Sequence, residues 1–493
     1  MASLSSTSAP TISLPSANIA SSALPSLGNL ESASEKITED CPRIDFDGEL
    51  KEVFDSSRSA ESARAAVNFE VGAEKEFFVR NTSTTFEKKK ATLRAKGDNF
   101  YIWVVNEDFT DGEASGKNIN QAGVDAVKEN FGTIYSLVRN VFGEEPEQIL
   151  ELIDGGKRFV RKAISDFSET GSNLNIVMSD IDLDYTDDDG TYTAGYFWEK
   201  DFYYSKEELS GGLAYVNGSN VGKYLYIDTA MARINPEDTI LTVAHEFQHM
   251  VNCGMNYFRT KASPETWYDE MLSMLCEDMM QAKFELEDDA TPKQRTSRFN
   301  TSYFNSGICR WGGDSTSAKL ASYANVYTFG AWLARQYGGA QLVEYIAKNE
   351  SVDVEAIVKA VNAVNSTNLT FRELFKKFLL AVTGSSTYTH NKDAATNLSC
   401  DGYNYPMTGY NIFDYGILLG ADYNDHKANY VEPMKTTLKG PAVFMPNYIP
   451  GAISDNYGFT LHDLGELPEV TEDVTVGFAE EGVANLYMYL IVQ

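Results

Sequence analysis

The 493-residue sequence lacks several features that define other classes of protein. It has no apolar run approaching about 18 residues, so it predicts no transmembrane helix. Basic residues are outnumbered, with 41 Lys and Arg against 71 Asp and Glu. The resulting net charge of −30 repels phosphate backbones and argues against nucleic acid as a partner. Serine nucleophile elbows, phosphate-binding glycine loops and dinucleotide fingerprints are missing as well. What remains is a globular chain of ordinary composition, with 43% hydrophobic residues.

Cysteine is scarce, and its five positions match no cysteine-rich metal module. Cys253 and Cys276 fall on predicted helices, where buried thiols are expected, whereas a Cys309–Cys400 bridge stays open. Residues 1–58 are rich in Ser, Ala and Pro and predict a disordered leader or linker. They contain neither the basic nor the apolar region of a signal peptide. We therefore expect the chain to follow a removed export segment, with a lipid anchor in the precursor as one option, and to act outside a bacterial cell or on its surface.

The order of predicted elements indicates an α+β protein with three folded parts. Residues 59–115 carry strand-like runs such as KEFFVR and NFYIWVV and predict a small β-domain. Residues 116–384 mix helical and strand patterns and predict the main domain. Residues 385–493 are rich in Gly, Asn and Tyr, with short runs such as PAVFM, YGFTLHD and ANLYMYLIV, and predict a β-rich C-terminal domain.

Two of only five histidines lie four residues apart in His245-Glu246-Phe247-Gln248-His249. Asn235 and Pro236 are typical of the start of a helix that would include this segment. Residues four apart share one helix face, so both imidazoles can bind one zinc ion. Glu246 can then act as general base on a water at that ion. The alternative is an exposed helical turn, but the apolar flanks favour a core helix.

A catalytic zinc site needs a third protein ligand. Glu270 follows His249 by 21 residues, which leaves room for a turn and a returning helix, and it is the predicted ligand. Asp269, Glu265 and Glu277 are its competitors. Glu277 lies two turns beyond Glu270, a spacing that suits a carboxylate holding the far nitrogen of a ligand histidine; a solvated charge is the alternative.

HEFQH followed by W-Y-D-E-x-x-S resembles the gluzincins, peptidases with two histidines and one glutamate on zinc. FYIWVVNEDF, YSLVRNVFG, GYFWEKDFY and TVAHEFQHM look, more narrowly, like the hyicolysin-type bacterial peptidases, over roughly residues 65–380. The resemblance implies a zincin catalytic domain with a mixed sheet and a helical subdomain, flanked here by β-rich domains. One departure is Asp269, where the family places Asn. This carboxylate could compete for the metal or replace a hydrogen bond.

Tyr327 begins a Y-x-x-G-A segment that resembles that of aminopeptidase N-like gluzincins. The resemblance implies that Tyr327 stabilises the oxyanion of the transition state. Tyr323 is the alternative residue for this role, and both tyrosines could instead be purely structural members of an aromatic helix. The run YLYID at residues 224–228 could be a sheet edge that pairs with substrate, or a buried strand. The acidic residues between Asp180 and Gly190 could hold Ca²⁺, but they lack the register of an EF-hand, which favours a solvated loop.

The site predicts a zinc-dependent endopeptidase acting on extracellular proteins or peptides. An aminopeptidase of the same clan is the first alternative, but no G-x-M-E-N motif is present to hold a free amine. A catalytically silent surface-binding protein is the second, and the intact Glu246 argues against it. The sequence does not predict an oligomeric state.

Overall fold

The computed structural model describes residues 68–82, 85–183, 193–312, 315–384, 404–431, 438–446, 448, 450 and 456–465, together with the backbone of a few two-residue strands. The strands are β1 Ile37–Thr38, β2 Lys51–Glu52, β3 Glu74–Thr82, β4 Thr85–Lys96, β5 Phe100–Val105, β6 Gln148–Ile153, β7 Arg158–Ala163, β8 Leu174–Ser179, β9 Thr193–Phe197, β10 Tyr203–Ser205, β11 Lys223–Asp228, β12 Ser399–Cys400 and β13 Tyr403–Asn404. The helices are α1 Gln121–Phe142, α2 Ile164–Phe167, α3 Thr229–Ile234, α4 Pro236–Asn252, α5 Thr266–Phe284, α6 Thr296–Ser302, α7 Thr316–Tyr337, α8 Gly339–Lys348, α9 Asp353–Asn365, α10 Phe371–Val382 and α11 Ala421–His426.

A mixed seven-stranded sheet forms the centre of the fold, in the order β1-β9-β11-β8-β5-β4-β3. The strands β5, β8 and β11 run parallel, while β9 and β4 are antiparallel to their neighbours on either side of this group. A second sheet has the order β10-β6-β7-β2. With helices packed on the large sheet, the α+β prediction is confirmed.

The parallel strands are buried on both faces, and their alternating residues separate two kinds of core. Along β5, Ile102 and Val104 point into the main core with the helices, whereas Tyr101 and Trp103 point into a smaller, largely aromatic core on the opposite face. The same alternation places Leu225 of β11 under the helices. Strands buried on both sides are typical of sheets with parallel crossovers.

Strands β3 to β5 do not form the separate β-domain that the sequence predicts. Strands β3, β4 and β5 belong to the same sheet as β8 and β11, so residues 74–105 share one core with the central part of the chain. Strand β11 pairs with β8 on one side and β9 on the other, so residues 224–228 are internal and cannot serve as a sheet edge. The backbone of β1 and β2, within the predicted leader, pairs with β9 and β7.

The C-terminal residues that the structure describes pack on the helices. Tyr405, Tyr410, Phe444 and Phe459 are buried in the main core, and the β-structure here is limited to β12–β13 and isolated bridges at residues such as Phe444. The predicted strand ANLYMYLIV, most of the predicted leader and the acidic residues 184–189 lie outside the described residues. Cys253, Cys276 and Cys309 are present as thiols. The side chain of Cys400, the partner considered for Cys309, lies outside the described residues.

Helix α4 lies on the main sheet and carries the HEFQH segment. It begins as predicted, with the Asn235 side chain accepting a hydrogen bond from the Asp238 amide and Pro236 in the first turn. It packs against α1, α5 and the strands β9 and β11. Nothing among the helices of the described part of the chain is both long and apolar enough to cross a membrane.

Candidate metal centre

Two helices bring the three predicted metal ligands together. His245 and His249 lie on α4, and Glu270 lies in the first half of α5, which packs against α4. All three side chains are buried, and their ligand atoms lie within 4.8 Å of one another. Among the described residues this is the one group of His, Cys, Asp and Glu side chains with such spacing.

The distances within this cluster fit a single tetrahedral ion. Glu270 Oε2 lies 3.2 Å from His245 Nε2 and 3.6 Å from His249 Nε2. Zinc bonds of about 2.0–2.2 Å place neighbouring ligand atoms of a tetrahedron about 3.3–3.6 Å apart. None of the three atoms has a hydrogen-bond partner in the protein, although all are buried. Because buried polar atoms are normally satisfied, this donor set fits a zinc ion.

A carboxylate holds the first histidine from behind. Glu277 Oε1 lies 2.6 Å from His245 Nδ1, the ring nitrogen that faces away from Glu270. Glu277 is 3% exposed, so this contact is shielded from water. A carboxylate at Nδ1 fixes the tautomer that leaves Nε2 available to a metal. The structure thus places Glu277 where its helical spacing from Glu270 predicts.

The second histidine has two neighbours at its Nδ1. Asp269 Oδ1 lies 3.2 Å away and Ser273 Oγ 3.1 Å away. Ser273 also donates a hydrogen bond to Gln248 Oε1. Asp269 therefore meets His249 on the side opposite Nε2. Of the two roles considered for Asp269, competition for the metal or replacement of a hydrogen bond, this contact favours the second. Ser273 is a further site residue that the sequence did not predict.

Glu246 follows His245 directly on α4 and is fully buried. Its position beside the first histidine is the one expected of a base that reaches a water near the metal without occupying the metal itself.

The two candidate tyrosines of α7 contact different carboxylates. The Tyr323 hydroxyl donates to Glu270 Oε1 at 3.3 Å, so Tyr323 supports the ligand glutamate. Tyr327 instead donates to Asp278 Oδ2 at 3.3 Å, about two turns beyond Glu270 along α5. Arg335 also binds Asp278 through two hydrogen bonds of 2.8 and 3.0 Å. The Tyr327 hydroxyl thus bonds to Asp278 and to none of the three ligands, which gives no support to the role that its sequence motif implies.

Burial and neighbouring charges act in opposite directions on the pKa of each ligand. Burial lowers the pKa of His249, but Asp269 and Glu270 outweigh it and raise the pKa well above 6.5. Burial likewise lowers the pKa of His245, and the neighbouring carboxylates of Glu270 and Glu277 raise it above its usual value. For Glu270, burial raises the pKa, and the two histidines more than reverse this. The cluster is thus stabilised by holding positive charge, from protons or from a metal cation.

The described aspartates of the acidic run considered for calcium contact basic side chains. Asp182 accepts hydrogen bonds from Arg80 at 2.7 and 2.6 Å. Asp180 lies 3.6 Å from the Lys117 ammonium. These contacts give no support to a calcium site.

Two buried histidines and a glutamate, held on packed helices against a mixed sheet, define a metal centre of the metallopeptidase type. Residues 81–413 match the model of the peptidase M30 family. The chain belongs to the peptidase M30 family, and the predicted resemblance to hyicolysin-type metallopeptidases is confirmed at this level. It is similar to the neutral metalloprotease ShpI of Staphylococcus hyicus, with 25% identity over 338 residues. That match covers 66% of this chain and 66% of the relative, just under two thirds of the relative's own length.

Proposed function

We propose that the protein is a zinc-dependent endopeptidase with a gluzincin-type site, acting on proteins or peptides outside the cytoplasm. The observation that carries the proposal is the convergence of His245 Nε2, His249 Nε2 and Glu270 Oε2, three buried atoms without hydrogen-bond partners. Membership in the M30 family supports the same chemistry. Three protein ligands leave a fourth position for the reaction, as catalytic zinc sites do.

The chain supplies the acid–base part of the proposed reaction. A bound zinc ion would act as a Lewis acid and lower the pKa of a water at the open position to about 7. Glu246 accepts the proton of the attacking water and returns a proton to the leaving amine, which is the role of a general base that becomes a general acid. Glu277 keeps the Nδ1 proton of His245 in place, so that its Nε2 stays directed at the metal.

Metal analysis tests the ligand assignment. Purified protein should contain about one zinc per chain, and His249→Ala should lose it. His426→Ala is a matched control, because His426 contacts Tyr448 rather than the cluster and should leave the zinc content unchanged. Wild-type protein that is folded and free of metal after zinc addition would contradict the assignment.

Peptidase assays test the catalytic assignment. Glu246→Gln should retain zinc but lose cleavage of a denatured protein such as casein. Glu237→Gln, an exposed position in the first turn of the same helix, is the control and should remain active. Cleavage of peptides with a blocked amino terminus would separate an endopeptidase from an aminopeptidase. A zinc-loaded wild type that cleaves none of these substrates would favour a binding role.

A further inference from the structure

His249 is held by a more elaborate set of groups than His245. Its Nδ1 faces both the Asp269 carboxylate at 3.2 Å and the Ser273 hydroxyl at 3.1 Å. When Nε2 binds a metal, Nδ1 carries the only ring N–H, so one proton meets two acceptors. The charged acceptor makes the stronger hydrogen bond.

Asp269 is itself fixed by a chain of amides from the end of the zinc helix. Asn252 Nδ2 donates to Asp269 Oδ1, and Asn256 Nδ2 donates to Asn252 Oδ1 at 2.5 Å. Asn256 lies in a π-helical turn, Cys253–Thr260, that continues α4. All of these side chains are buried, and Asp269 is 9% exposed. A carboxylate held in this way has a defined orientation rather than a mobile one.

Helical geometry separates the tasks of Asp269 and Glu270. Consecutive residues of a helix project about 100° apart. Glu270 therefore meets the Nε2 atoms of both histidines, while Asp269 meets Nδ1 of His249 on the far side of the ring. The carboxylate of Asp269 is thus directed at the histidine and not at the metal position.

We propose that Asp269 is a positioning residue, whose negative charge, oriented by Asn252 and Asn256, fixes His249 for zinc binding. The inference rests on the proposed zinc site. With Glu277 behind His245, each ligand histidine then has its own buried carboxylate. Ser273 supplies a neutral second acceptor, which it can do because its own proton is donated to Gln248.

The test measures zinc affinity by competition with a chromophoric chelator, and it needs no peptidase activity. Asp269→Asn keeps the shape and an acceptor oxygen but removes the charge, and it should raise the zinc Kd about 10- to 100-fold. Cobalt(II) bound in place of zinc should show an altered visible absorption spectrum in the same variant. A zinc Kd and cobalt spectrum equal to those of the wild type would overturn the proposal.

Asp201→Asn is the matched structural control. Asp201 is also a buried aspartate with several partners, Lys200, Asn220 and Tyr226, but its partner Tyr226 belongs to the aromatic core on the other face of the sheet. This control should lower the Tm while leaving the zinc Kd unchanged; an equal rise of the Kd in both variants would mean general damage and would overturn the proposal.

If Asp269→Asn does not fold, Asn252→Ala provides a second route. This variant frees the Asp269 carboxylate from one of its donors and should raise the zinc Kd in the same direction, by less than loss of the charge. A folded Asn252→Ala variant with an unchanged Kd would overturn the positioning role. Because zinc binding is read directly, a protein that binds zinc but fails to cleave peptides would defeat the proposed function and leave this inference standing.

Discussion

Replacing Tyr327 by phenylalanine should leave catalysis nearly intact, although its sequence motif implies an oxyanion-stabilising role. Its hydroxyl donates to Asp278 at 3.3 Å, and Asp278 keeps two hydrogen bonds from Arg335 after the substitution. The expected cost is therefore one long hydrogen bond to a charged group, about 1.5 kcal/mol of stability at the lower end of the range. An oxyanion donor would behave differently, because its loss lowers kcat about 10²–10³-fold, or about 2.7–4 kcal/mol.

Tyr323→Phe is the companion variant, made on the same helix face one turn earlier. The Tyr323 hydroxyl donates to Glu270 Oε1, so its loss removes a hydrogen bond to a ligand carboxylate. A hydrogen bond to a charged group contributes about 1.5 kcal/mol at the lower end of its range, which corresponds to about a tenfold rise of the zinc Kd.

The assay measures kcat on a fluorogenic peptide at saturating zinc, together with zinc Kd and Tm for both variants. We expect Tyr327→Phe to keep kcat within about threefold of wild type, well clear of the roughly 10² loss that an oxyanion donor would show. A hundredfold loss of kcat in Tyr327→Phe, with zinc content and Tm preserved, would refute this reasoning and restore the role implied by the motif.

Three further predictions concern the surroundings of the site. Arg335→Leu leaves the buried Asp278 without its cation and should destabilise the fold by about 3–5 kcal/mol. The double variant Asp278→Leu/Arg335→Leu should recover part of the lost Tm, because no unpaired charge remains buried. Equal Tm values for the single and the double variant would contradict this. Glu277→Gln should raise the zinc Kd about 10- to 100-fold in a folded protein, and an unchanged Kd in chelator competition would remove Glu277 from the centre. Zinc affinity should fall as the pH falls, because the pKa values of His245 and His249 are raised in the metal-free protein and protons compete for their Nε2 atoms. The decline should begin above about pH 6.5, and an affinity that is constant between about pH 8 and 6 would argue against ligation by both histidines.

Local periodicity explains which site residues could be predicted from sequence. His245 and His249 share a face because a helix repeats every 3.6 residues, and Glu277 lies two turns beyond Glu270 for the same reason. These relations depend on one helix at a time. The start of α4 was equally predictable, because Asn235 and Pro236 act within the first turn.

Contacts between elements explain what could not be predicted. Tyr323 and Tyr327 lie one turn apart on the same helix, and only the docking of α7 on α5 decides that Tyr323 bonds to Glu270 and Tyr327 to Asp278. The position of Asp269 behind His249 depends on how α5 docks on α4. Similarly, β5 pairs in parallel with β8, about 70 residues further along the chain. A strand-like run near residue 100 indicates a strand but does not indicate which strand it pairs with.

Arg335 and Lys293 contact residues 408–409, and these contacts limit where the chain can be truncated or joined in a chimaera. The Thr408 carbonyl accepts hydrogen bonds from Arg335 at 2.9 and 2.8 Å, and the Thr408 hydroxyl donates to Gln281 of α5. Lys293 also donates to Thr408 and Gly409. Expression of a fragment ending at residue 384 would remove the Thr408 and Gly409 acceptors from the buried Arg335 and Lys293, close to the helix that carries Glu270. The matched family region ends at residue 413, just after these contacts. Residues 405–412 thus lie in the same matched region as the metal centre, and a chimaera that exchanges the C-terminal part should be joined after them.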